Sequence, residues 1–97
     1  MKTRDEIIRL LEREKPRIMN RYKVRRLALF GSYARGDQNE SSDVDILVDA
    51  DPSIGLEFVT LADELERILG QRVELVSARA VNKRNMEIIQ PELVDVE

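Results

Sequence analysis

Two stretches decide the fold of this chain: Val24-Arg25-Arg26-Leu27-Ala28-Leu29-Phe30-Gly31-Ser32 and, after ten intervening residues, Asp43-Val44-Asp45-Ile46-Leu47-Val48. Leu27 to Phe30 is a continuous apolar run ending at Gly31, the pattern of a strand covered on both faces. Asp43 to Val48 alternates polar and apolar at its start, as a second strand does. Between them lie Gly36, Asp37, Asn39, Ser41 and Ser42, turn-forming residues that suit a loop after one short helical turn. Upstream, Thr3-Arg4-Asp5-Glu6 reads as a capping box, and Ile7, Ile8, Leu10 and Leu11 with charges between them make an amphipathic helix. Pro16 lacks a backbone donor, so a break or kink is predicted there, with a short second helix to about Tyr22.

Downstream of the turn residues Asp49 to Ser53, apolar Ile54, Phe58, Leu61, Leu65 and Ile68 step by four, three, four and three, a helical period. Gly70 is placed to close that helix in a left-handed cap. Arg72 to Val76 reads as a third strand, with Glu74 facing opposite to Val73 and Leu75. A last helix is predicted after Asn82, carrying Met86, Ile88 and Ile89 and stopping before Pro91. The tail Leu93 to Glu97 fits either a short edge strand or coil. Helices and strands alternate, so the fold class is α/β, in a single domain spanning residues 1–97.

Composition narrows the chemistry. The 97 residues, 42% hydrophobic and 36% charged, describe one small domain with a modest core. Sixteen basic against 19 acidic side chains give a net charge of −3, no field to attract nucleic acid or an anionic membrane. No apolar run approaches the roughly 20 residues that cross a bilayer, and the N-terminus is too charged for a signal peptide. A cytoplasmic protein is expected. Neither cysteine nor histidine is present. Catalysis would therefore rest on carboxylates, hydroxyls, Lys or Arg, and a hard cation with oxygen ligands.

The chemistry-bearing residues cluster around the opening stretches. Asp43 and Asp45, one residue apart on a strand, point to the same face with Cα atoms roughly 6.5 to 7 Å apart. Two carboxylates so placed suit metal-assisted phosphoryl or nucleotidyl transfer, in which two Mg²⁺ ions stabilise the attacking and leaving oxygens. Gly31 follows a strand and opens a short helix, so the backbone can approach a triphosphate; Ser32 adds a hydroxyl to that cradle. Taken singly, each of these features also fits a surface turn and solvated strand residues.

In combination, Leu29-Phe30-Gly31-Ser32-Tyr33-Ala34-Arg35-Gly36 with Ser42-Asp43-Val44-Asp45 resembles the signature of the nucleotidyltransferase superfamily related to DNA polymerase β. Among its branches the chain is similar to the minimal nucleotidyltransferases, the MntA-type antitoxins encoded beside HEPN-domain toxins. The resemblance runs from Leu10 to about Ile89. It implies a small mixed sheet with helices packed against it, and ATP as substrate with Mg²⁺, two ions in all, held by Asp43 and Asp45. It also implies transfer of AMP to a tyrosine of the HEPN partner, which silences that toxin. A third carboxylate, usually aspartate, falls at Glu74; the resemblance makes Glu74 a ligand or base, one methylene longer than usual.

Two other functions fit the residues. The domain could neutralise its partner by occlusion alone, or transfer a nucleotide to a small molecule with a helical partner completing the acceptor pocket. Direct binding of nucleic acid or membrane is not expected. Arg35 either reaches phosphate oxygens through its forked donors or pairs on the surface with Asp37 or Glu40. Tyr33 is expected to pack half-buried beside the loop, and Asp49 and Asp51 to be turn residues.

Overall fold

A computed structural model describes all residues, 1–97. Helix α1 spans Arg4–Tyr22 and opens on the predicted capping box: the Glu6 amide donates to Thr3 Oγ1 (3.2 Å), and the Thr3 amide to Glu6 Oε1 (3.0 Å). Its Ile7, Leu11, Ile18 and Tyr22 lie on one stripe, and all are buried. The break predicted at Pro16 does not occur, and α1 runs through that residue as a single helix. Pro16 sits on the exposed side, while Leu11 and Ile18, fully buried before and after it, anchor both halves. Tertiary packing thus outweighs one missing hydrogen bond. Lys23, at φ 53°, turns the chain into strand β1, Val24–Phe30.

After β1 come the short helix α2 (Gly31–Arg35), strand β2 (Val44–Ala50) and a 3₁₀ turn (Pro52–Ile54). Asp51 caps that turn by accepting from the Ser53 amide. Helix α3 (Glu57–Leu69) starts later than the apolar period suggests, because Ile54 falls in the 3₁₀ turn. It ends at Gly70 in the predicted left-handed conformation, φ 66°. Strand β3 (Val73–Ser77), helix α4 (Lys83–Ile89, capped by Asn82), a 3₁₀ turn (Gln90–Glu92) and strand β4 (Val94–Asp95) complete the chain.

The sheet is mixed, in the order β3-β2-β1-β4. β1 runs antiparallel to both β2 and β4, joined to β2 through the α2 loop; β2 and β3 are parallel, connected by the crossover helix α3. Helices α1 and α3 pack together over one face, where Leu27, Leu29, Val44, Ile46 and Val48 meet Ile7, Leu11, Ile18, Leu61, Leu65 and Leu69. Cross-strand neighbours Ala28 and Leu47 point to the opposite face and are buried too. Both faces of the centre are therefore covered, which is why Leu27 to Phe30 reads as a continuous apolar run. The tail resolves as an edge strand: Val96 is buried, its amide donates to the Leu27 carbonyl (3.0 Å), and Lys15 Nζ donates to the Val96 carbonyl (2.8 Å). No helix is long and apolar enough to cross a membrane.

Candidate active site

Strand register assembles the site. Asp45 lies between Phe30 of β1 and Glu74 of β3, its partners on the two neighbouring strands. Antiparallel pairing of β1 with β2 brings the end of the first strand beside the start of the second, so Gly31 meets Asp45. The approach is close enough to dictate glycine. A Cβ on Gly31 would stand 2.1 Å from Asp45 Oδ2, and its φ of 76° lies in the left-handed region. Asp43 falls one residue ahead of β2, outside the strand in which it was predicted. It accepts from Arg72 Nε at 3.2 Å.

Charge is crowded here. Burial, followed by the charge of Glu74 and its hydrogen bond, and then the charge of Asp43, raises the Asp45 carboxyl to about 6; Arg35 pulls it partly back. Glu74 is exposed, on the side of β3 away from Val73 and Leu75, which pack on the core as anticipated. No three carboxylates are gathered around one ion position in this geometry, since Asp43 is turned to Arg72 while Asp45 and Glu74 oppose each other. The donor set nevertheless suits a hard divalent cation: it is all oxygen, and the mutual repulsion of Asp45 and Glu74 is the kind a cation relieves.

On the loop side, Ser32 is half-buried, and its carbonyl accepts from the amides of Gly36 (2.8 Å) and Asp37 (3.1 Å), closing α2. Arg35 donates through Nε to Asp37 (3.1 Å) and through Nη1 to Glu92 (3.0 Å). The surface pairing foreseen with Asp37 thus forms, whereas Glu40 is not its partner. Tyr33 departs from the expected half-burial. It is fully buried, and its hydroxyl accepts from Gln71 Nε2, so it braces the loop from beneath. Asp49 belongs to the end of β2 instead of a turn.

Two hollows flank the carboxylates. One, of about 270 Å³, is polar and lined by Glu40, Ser41, Ser42, Asp43, Gln71 and Arg72. The other, of about 390 Å³, is mostly apolar, with Glu74 and Asn85 among Phe30, Val76, Ala80, Val81, Ile88 and Ile89. Sequence reasoning missed Glu92, which accepts from the Gly31 amide at 3.1 Å as well as from Arg35. It also missed Arg72 and Gln71. None carries a local signal, because each reaches the site only through the sheet pairing or the docked tail.

Comparison with known proteins agrees with this geometry. A family described as "Nucleotidyltransferase domain" matches residues 6–96. The protein adenylyltransferase MntA of Thermococcus cleftensis is 41% identical over 98 residues, covering 99% of this chain and 98% of its own. MJ1379 of Methanocaldococcus jannaschii, provisionally named a protein adenylyltransferase, is 44% identical over 86 residues, covering 84% of this chain and 85% of its own. Among solved structures, one described as a minimal nucleotidyltransferase superposes with a TM-score of 0.76 at 34% identity, covering 92% of each chain. A toxin–antitoxin crystal structure with AMP-PNP superposes with a TM-score of 0.69 at 26% identity, covering 89% of this chain and 72% of that one. With the paired carboxylates, the glycine loop and the mixed sheet in place, the chain belongs to the nucleotidyltransferase family, among the minimal, MntA-type protein adenylyltransferases.

Proposed function

We propose that this enzyme transfers AMP from ATP to a tyrosine of a HEPN-domain toxin, and so acts as that toxin's antitoxin. The observation that carries the reading is the juxtaposition of Gly31 with Asp45 and Glu74 on three adjoining elements, a glycine loop against a charged carboxylate pair. Relatives supply the acceptor class: MntA is named a protein adenylyltransferase, and the structure with AMP-PNP is of a toxin–antitoxin.

In the proposed reaction the tyrosyl oxygen attacks the α-phosphorus of ATP. The new bond joins that oxygen to phosphorus, the bond from the α-phosphorus to the bridging oxygen breaks, and pyrophosphate leaves with the electron pair. Gly31 lets the backbone come close to the phosphates, Ser32 offers its hydroxyl, and Arg35 adds a guanidinium. Glu74, exposed beside Asp45 on the neighbouring strand, is the candidate to take up the phenolic proton. Asp43, Asp45 and Glu74 would hold Mg²⁺, which would neutralise phosphate charge. The apolar hollow beside Glu74 offers an aromatic acceptor a place next to the carboxylates.

One observation favours a second reading, in which the domain neutralises its partner by occlusion: Asp43 is engaged by Arg72, and three carboxylates are not gathered. That pairing is exposed, with 81% of the Arg72 side chain open to solvent, so it competes weakly with a cation. Intact-mass spectrometry separates the two. The protein encoded by the adjacent gene is incubated with this chain, ATP and Mg²⁺, and a mass increase of one or more AMP units, mapped to tyrosine, is expected. A stable, neutralised complex with no added mass, also with other nucleotides and Mn²⁺, would establish occlusion.

A further inference from the structure

Glu92 lies at the end of the 3₁₀ turn after α4, far in sequence from the glycine loop, yet its carboxylate bridges two groups of that loop. Oε1 accepts from the Gly31 amide at 3.1 Å, and Oε2 accepts from Arg35 Nη1 at 3.0 Å. We propose that Glu92 is a positioning residue for nucleotidyl transfer, pinning the loop backbone at Gly31 and orienting the Arg35 guanidinium, whose free N–H groups receive the triphosphate. The proposal rests on the assignment of Gly31 and Arg35 to the nucleotide site.

Three features make Glu92 a brace. It is delivered from a segment that is itself held down: Val96 is buried, its amide and carbonyl are tied to Leu27 and Lys15, and Asp95 accepts from Arg26 Nε at 2.6 Å. Gly31 is confined on its other side by Asp45, so the bond from Glu92 fixes the direction in which its amide points. Arg35 is held at two points, by Glu92 and Asp37, which engage two of its N–H groups. A guanidinium has five, so three remain to meet an anion from a fixed orientation. A long flexible side chain is thereby ordered before the ligand arrives, and the ordering need not be repeated on binding. The Glu92 side chain is only 24% exposed, so water competes little for its carboxylate.

The test compares wild type, Glu92→Ala, Glu92→Gln, Arg35→Ala and the double variant Glu92→Ala/Arg35→Ala, in transfer assays with ATP concentration varied. Amide exchange over residues 31–35 is measured alongside. Glu92→Ala should raise the KM for ATP and lower kcat/KM on the order of tenfold to a hundredfold, and quicken exchange at Gly31. Glu92→Gln keeps an acceptor of the same shape for the Gly31 amide, so it should fall between wild type and Glu92→Ala, and it covers the case in which the alanine variant folds poorly. Because Glu92 acts largely through Arg35, the two losses should be markedly less than additive in the double variant.

A fall in kcat with unchanged KM and unchanged amide exchange at Gly31 would mean only less active enzyme and would overturn the proposal. Additive losses would do the same. So would a lower KM for ATP in Glu92→Ala, which would make the carboxylate a competitor of phosphate. Impaired Arg35→Ala with normal Glu92→Ala would refute the role of Glu92 alone, whereas unimpaired Arg35→Ala would take down the site assignment beneath it.

Discussion

Asp45→Asn should make the metal-free protein more stable at neutral pH while removing its activity. The fold holds the Asp45 carboxyl at about 6 against an ordinary 3.8, through burial first and the charge of Glu74 second. A carboxyl raised in this way favours the fold when neutral: its contribution is fully present below about 3.8 and is lost as pH rises through about 6. A difference of about two units amounts to about 3 kcal/mol as a ceiling. Asp45 is only half-buried and water screens the cleft, so about 1–2 kcal/mol is the expected cost of its ionisation. Asparagine keeps the shape and removes the charge. Urea denaturation of both proteins in chelator should therefore show Asp45→Asn more stable by about 1–2 kcal/mol near pH 8, or about 5–10 °C in midpoint. The gain should shrink to nearly nothing near pH 4, where wild-type Asp45 is already protonated. A gain that is absent at pH 8, or equal at both pH values, would refute the electrostatic reasoning.

Gly31→Ala combines a left-handed φ with a Cβ 2.1 Å from the Asp45 carboxylate, so it should cost about 1–3 kcal/mol in denaturant and abolish transfer. Unchanged stability would mean that the loop and strand are not pressed together. Glu64, buried beneath α1, accepts from Arg17 Nη1 at 2.6 Å, a bond that holds its carboxyl below the ordinary 4.5. Glu64→Gln should therefore destabilise by about 1–3 kcal/mol at neutral pH. The deficit should narrow as pH falls through and below the wild-type carboxyl's value, because the native pair is then lost as well; a pH-independent deficit in denaturation curves would contradict this. Pro16→Ala restores a donor inside a continuous helix at an exposed position and should stabilise by about 1–2 kcal/mol, read by thermal melting. A loss of stability there would show that Pro16 acts mainly by stiffening the unfolded chain.

Much of this architecture could be read locally. The capping box at Thr3, the bounds of β1, the left-handed stop at Gly70 and the start of α4 after Asn82 depend on neighbouring residues alone, and the structure has each of them. Pro16 was misread because the penalty of one lost bond is local while the burial of Leu11 and Ile18 is not. Strand order was illegible for a similar reason: alternation sets which face a residue takes, not which strand lies beside it. Of the motif at Gly31, Ser32, Asp43 and Asp45, the structure brings Gly31 against Asp45 and turns Asp43 to Arg72. The electrostatics of the site depend on Glu74 arriving by a parallel pairing and on Glu92 arriving with the tail, two encounters that no spacing in the sequence encodes.

The central claim is that Asp43, Asp45 and Glu74 serve nucleotidyl transfer to a partner protein. Incubating the proposed partner, the protein encoded by the adjacent gene, with ATP labelled in either the α- or the γ-phosphate, in Mg²⁺, tests it most directly. Label from the α-phosphate should become covalently fixed to the partner and label from the γ-phosphate should not, and Asp43→Ala/Asp45→Ala should fix neither while remaining folded. Incorporation of γ-label, or α-label fixed at the wild-type rate by the double variant, would contradict the account.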